Sequence, residues 1–226
     1  MRKAFGPLVG IVGVMFVAAP FLIARAPYES TMGLVQKIFY FHVPAGMTMF
    51  LTAFVSGIGS AAFLFTRKPW ADRMAVAGAE LSAVLGIIVL VTGPLWARKA
   101  WGVWWTWDPR LTSTLLEAMV FFAYMVLRSF GSLGEVEKRF AAGLAIVGVL
   151  DIPVIKYSVQ RWRGTHPTVI TGKGGGIHPD MGPALYLSLV LFVLLAVVLI
   201  WVRALPVRQR SRRAPAAAGA WRPRDS

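Results

Sequence analysis

Four of the nine tryptophans fall within seven residues, in the run Trp101-Gly102-Val103-Trp104-Trp105-Thr106-Trp107-Asp108-Pro109-Arg110. Indole favours a membrane–water interface, because its faces are apolar and its N–H wants a partner. An aromatic belt is therefore the plain reading. Belts, however, spread a tryptophan or two over each helix end and do not pack four beside an aspartate and an arginine. The concentration points instead to a flat aromatic shelf for a flat ligand. The chain has three histidines, His42, His166 and His178. Neutral imidazole is the common ligand for iron, zinc and copper. A single interfacial histidine is more often a hydrogen-bonded structural residue, but His42 and His166 both flank the aromatic run. His178 lies in a glycine-rich stretch and reads as exposed loop.

The elements that must carry these residues are membrane helices. The chain of 226 residues is 57% hydrophobic and 15% charged. Several apolar stretches approach the roughly 20 residues that cross a bilayer as a helix. The expected fold is an all-α membrane protein with six transmembrane helices, at 7–24, 43–66, 74–96, 111–128, 139–157 and 183–202. Residues 1–206 form this membrane domain, with the tryptophan loop at 97–110. Residues 207–226, rich in Arg, Ala and Pro, read as a disordered basic tail at anionic lipid headgroups. The first span has an alternative reading as a cleaved signal peptide, with Arg2 and Lys3 before it and Ala24-Arg25-Ala26 after it. Its apolar run is longer than a usual signal core, which favours retention.

In a six-span chain, the loops after spans one, three and five share one face. Those loops hold His42 at the mouth of span two, the tryptophan run, and His166 with His178. All should meet on one side. Of 24 lysines and arginines, 15 lie inside if the N-terminus is cytoplasmic: Arg2, Lys3, Arg67, Lys68, Arg73, Arg128, Lys138, Arg139 and seven arginines from Arg203 onward. That bias places both termini in the cytoplasm and the shelf outside. There are no cysteines, so thiol catalysis and thiolate metal sites are excluded.

A catalytic zinc site wants three protein ligands, often two on one helical turn, and no such spacing occurs. Haem fits better. Its iron accepts two axial imidazoles, its macrocycle stacks on aromatic rings, and its propionates pair with cations. The outer segments supply Arg25, Lys37, Arg98, Lys99, Arg110, Lys156, Arg161, Arg163 and Lys173. Ordinary scatter in a basic protein would also place cations there.

The run WGVWWTWDPRLTS resembles the signature of the tryptophan-rich haem-handling membrane proteins of cytochrome c maturation. YFHVPAGM before it and KYSVQRWRGTHPT after it are similar to the haem exporter protein C (CcmC) branch. The likeness covers about residues 35–200. It implies six helices, a haem site on the outer (periplasmic) face of the bacterial inner membrane, and His42 and His166 as the axial pair. Trp101, Trp104, Trp105, Trp107, Asp108 and Arg110 would form the platform, with Arg161 and Arg163 beside it. It also implies partners: the ABC transporter subunits CcmA and CcmB, the small membrane subunit CcmD, and the membrane-anchored haem chaperone CcmE.

Glu80, Glu117 and Asp151 lie at membrane depth, where acids are costly and usually face a bundle interior. They read as hydrogen-bonding groups between helices or, alternatively, as a proton relay. Asp151-Ile152-Pro153 marks a candidate kink. No G-x-x-x-x-G-K-[S/T] loop occurs, so ATP chemistry must come from partners. The expected role is haem binding and handover, not enzymatic. The rivals are a haem–apocytochrome c ligase with the same signature and a proton-coupled transporter.

Overall fold

Helix ends in this chain follow from its glycines, prolines and one capping aspartate. The computed structural model describes residues 2–130, 134–162, 164, 166, 167 and 176–205. It contains α1 (Arg2–Arg25), α2 (Phe39–Thr66), α3 (Pro69–Trp101), α4 (Pro109–Phe130), α5 (Glu135–Trp162) and α6 (Gly182–Ala204). Six helices are long and apolar enough to cross a membrane, in agreement with the expected spans. Every helix runs past the apolar stretch that marked it. The largest extensions are α3, which begins at Pro69 and ends at Trp101, and α5, which begins at Glu135 and ends at Trp162. Apolar length registers the hydrocarbon core, whereas helices continue into the headgroup zone on polar residues. Arg163 and the basic tail at 207–226 lie outside the described residues.

The turn between α2 and α3 is short. Arg67 adopts φ 54° and its N–H bonds the Phe63 carbonyl at 2.8 Å, closing α2. Pro69 then opens α3 at a position where no intrahelical N–H is needed. These two helices pack closely. A β-carbon on Gly59 would lie 2.7 Å from the Ala75 nitrogen, and one on Gly78 would lie 2.6 Å from the Ser56 nitrogen. Small residues let membrane helices approach until backbones touch, which is where their dispersion energy comes from. The core between α2, α3, α4 and α5 is correspondingly built from Ala53, Ala79, Ala83, Ala141 and Ala145 around Phe121 and Tyr124. A second cluster joins α1, α6 and the start of α2 through Val12, Ile23, Tyr40 and Leu185.

Ion pairs hold one end of the bundle. Arg128, near the end of α4, donates to Asp72 on α3 at 2.9 Å and lies 3.6 Å from Glu137 on α5. Arg203 near the end of α6 binds Glu80 on α3 with two hydrogen bonds of 2.6 Å. Glu80 is thus one half of an ion pair with a residue 123 positions away. Glu117 is fully buried on α4 and packs against Gly148 of α5.

Candidate functional site at the histidine end

At the opposite end, α3 stops because Gly102 takes φ 76°, a left-handed conformation that glycine adopts without a side-chain clash. The Arg98 guanidinium folds back onto the Gly102 carbonyl. The next helix cannot begin until Asp108-Pro109. There the Asp108 carboxylate accepts the Leu111 N–H at 2.8 Å and its carbonyl accepts the Thr112 N–H at 3.0 Å. This is an N-cap with proline in the first turn. Trp104, Trp105 and Trp107 are thereby left on a loop between two defined helix ends, and Trp101 closes α3.

Within that loop the tryptophans divide. Trp104 and Trp107 are 57% and 76% exposed. Trp105 packs edge-on against Trp107 with ring centres 5.8 Å apart, and its indole N–H is buried without a partner among the described residues. Trp101 packs edge-on against Trp96 at 5.5 Å. The Trp96 indole reaches the Gln36 side-chain oxygen at 3.5 Å, just ahead of α2.

The imidazoles of His42 and His166 come together, with ring centres 6.3 Å apart and planes 28° apart. His42 stands on the first turns of α2, after a 3₁₀ turn at Leu34–Ile38. The Lys37 ammonium in that turn caps the end of α1 by donating to the carbonyls of Ile23, at 2.7 Å, and Ala26. His42 faces α3. Its Nδ1 lies 2.9 Å from the Thr92 hydroxyl, and the absence of a side chain at Gly93 leaves room for its ring, whose Cε1 would be 3.3 Å from a β-carbon there.

His166 follows α5. Its Nδ1 is 2.9 Å from the Pro167 carbonyl and 3.2 Å from an Arg110 nitrogen. A carbonyl can only accept and a guanidinium can only donate, so these two contacts call for opposite tautomers of the ring and only one of them is a hydrogen bond at a time. Burial, with the Arg110 guanidinium beside it, pushes the His166 pKa down to about 4. The ring is therefore neutral at physiological pH. Arg110 also donates to the carbonyls of Ile155 and Lys156, each at 3.2 Å, tying the start of α4 to the last turns of α5. The last turn of α5 also carries Arg161, which is exposed. Gly164 lies against the Asp108 carboxylate.

The structure thus brings His42, His166, Asp108 and Arg110 into one assembly, with Trp101 and Trp105 on the adjoining segments. His178 has a local role: its Nδ1 accepts the Asp180 N–H at 3.3 Å, capping a 3₁₀ turn at Pro179–Met181. Thr92, Gly93, Trp96 and Gln36 belong to the neighbourhood but carried no signal in the sequence. Three of them lie in or beside the apolar run of α3, where they read as span filler.

The two imidazole ring centres lie 6.3 Å apart, close enough for both rings to reach one metal ion. Two metal–nitrogen bonds of about 2 Å, plus about 1 Å from each nitrogen to its ring centre, sum to about 6 Å. Among the described residues no third His, Cys, Asp or Glu joins them. Two side chains hold a bare divalent ion poorly. They suit a metal whose other positions are already filled by a planar macrocycle.

Comparison with known sequences gives the same direction. The sequence model of the family described as Heme exporter protein C matches residues 1–217. A putative cytochrome c biosynthesis ccmC-like mitochondrial protein of Arabidopsis thaliana is 36% identical over 178 residues, 75% of this chain and 67% of that protein. Heme exporter protein C of Bradyrhizobium diazoefficiens is 37% identical over 158 residues, 70% of this chain and 60% of that protein. The protein of the same name from Escherichia coli K12 is 33% identical over 180 residues, 79% of this chain and 72% of that protein. The matched segment spans about two thirds of the length of these relatives. With nearly its whole length matched by one family model, the chain belongs to the haem exporter protein C family.

Proposed function

We propose that this protein binds haem on the outer face of the membrane and hands it on during cytochrome c maturation. His42 and His166 are the axial ligands. Trp101, Trp104, Trp105 and Trp107 form the platform. Arg161 and Arg163 are available to the propionates. Asp108 and Arg110 serve the site by fixing the loop and the end of α5. The recipient is the membrane-anchored chaperone CcmE, and the assembly includes CcmA, CcmB and CcmD. Both termini lie in the cytoplasm.

The observation that carries this reading is the imidazole pair 6.3 Å apart at the mouth of the tryptophan loop. The Trp105 N–H, without a partner among the described residues, and the exposed indole faces suit a flat, partly apolar cargo. The test is the absorption spectrum of protein purified after haem-replete expression. A Soret band is expected. His42→Ala or His166→Ala should shift it and lower haem retention, and the double variant should nearly abolish it. Six-coordinate haem retained in the double variant would overturn the pair. Covalent haem attachment to apocytochrome by the purified protein would instead support the ligase reading.

A further inference from the structure

Among the described residues the one hydrogen bond of the His42 ring is to Thr92, and Thr92 has only one way to make it. The Thr92 hydroxyl lies 2.6 Å from the Ile88 carbonyl, one turn back on α3, and 2.9 Å from His42 Nδ1. A carbonyl cannot donate, so the threonine proton points at Ile88. The Thr92 oxygen is then left as an acceptor, and the His42 Nδ1 must carry the hydrogen that fills it. The other nitrogen, Nε2, is the one with a free lone pair.

We propose that Thr92 is a positioning residue for His42: it holds the ring in its Nδ1–H form and so assigns Nε2 as the iron-binding nitrogen. This rests on His42 being a haem ligand, as proposed above. Metal-binding histidines depend on such outer partners, which set ring orientation and donor strength, and losing one commonly weakens binding about 10- to 100-fold. Two observations support the assignment independently of any relative. Thr92 sits in an apolar stretch of α3, residues 83–97, where its hydroxyl bonds the i−4 carbonyl of Ile88. Gly93, the next residue, keeps the space that the ring occupies, with a β-carbon there falling 3.3 Å from Cε1. The Nδ1 hydrogen of His42 is thus tied back into α3, which leaves the lone pair on Nε2.

The experiment uses full-length, haem-free protein in lipid nanodiscs with 15N-labelled histidine. Only three histidines contribute, and single replacements assign them. In the unaltered protein, His42 should show a protonated Nδ1 and an unprotonated Nε2. Thr92→Val, which keeps the shape and removes the acceptor, should shift His42 towards the Nε2–H form or a mixture. Thr92→Ser should preserve the original pattern. An Nε2–H ring in the unaltered protein, or no change in Thr92→Val, overturns the assignment. Haem titration gives the second readout. Thr92→Val should bind about 10- to 100-fold more weakly, with Thr92→Ser close to the unaltered protein. If His42→Ala loses haem but Thr92→Val binds normally, Thr92 has no positioning role. If His42→Ala binds haem normally while the nitrogen pattern holds, the ligand reading fails and the tautomer assignment stands.

Discussion

The carboxylate of Asp108 lies against Gly164, where a β-carbon would come within 3.4 Å of Oδ2. Its other oxygen caps α4 through the Leu111 N–H at 2.8 Å. One side chain thus ends the tryptophan loop and touches the segment that carries His166. Asp108→Ala should cost about 1 kcal/mol of stability through the lost cap, and should lower haem retention further by freeing that segment. Asp108→Asn can still accept the Leu111 N–H and should keep most of the stability. Thermal unfolding of purified variants in detergent checks this. Equal melting temperatures for Ala and Asn would refute the capping role.

Arg110 binds two carbonyls of α5 and stands beside His166. Lysine carries the charge but not the planar fork that reaches several acceptors at once. Arg110→Lys should therefore weaken haem binding nearly as much as Arg110→Ala. Full rescue by lysine in a haem titration would show that only the charge matters.

Gly93→Ala would place a methyl group 3.3 Å from His42 Cε1. The helix itself should tolerate alanine, which has the higher propensity. Haem affinity should fall while the melting temperature of the haem-free protein holds or rises. A parallel loss of both would mean that Gly93 serves helix packing rather than the ring.

With its pKa near 4, His166 should stay neutral in haem-free protein at pH 5.5. An unfolded histidine takes up its proton near pH 6.5. Between those values the unfolded state binds more protons at this position, so its contribution makes stability fall as pH is lowered from 6.5 towards 4. A 15N titration reads the ring directly. A His166 midpoint at 6 or above would contradict the burial and the Arg110 contact.

Topology is open to cysteine labelling, because the chain has no native cysteine. Cysteines at Val103 and Pro167 should react with an impermeant reagent added from outside the cell. One at Glu135 should react only after the membrane is opened. Labelling of Val103 and Pro167 from opposite sides would be incompatible with a shared haem.

Apolar length alone located all six helices, and loop parity alone brought His42, the tryptophans and His166 to one end. Both arguments depend only on bilayer thickness and on counting crossings. The roles inside the cluster were less legible. The resemblance implies Asp108 and Arg110 as platform residues; their bonds to a helix start and to carbonyls of α5 could not be read from the sequence. Asp-Pro ahead of an apolar run is itself a helix-start signal, masked here by the neighbouring indoles. Thr92 and Gly93 were invisible because their importance comes from a residue 50 positions away. Glu80 read as a hydrogen-bonding group between helices, but its partner could not be named, because it arrives from α6.

The close contact of α2 with α3 has a consequence for release of the cargo. His42 and Thr92 stand on two helices whose backbones touch, so that ring moves only if the hairpin does. His166 stands past the end of α5, its Nδ1 beside the Pro167 carbonyl and the Arg110 guanidinium. Under the proposed function, one ligand is anchored in a helix pair and the other stands on a segment beyond a helix end. Added imidazole should accordingly displace His166 from the iron before His42. Spectra of the two single alanine variants identify which bond has opened, and first loss of His42 would reverse this order.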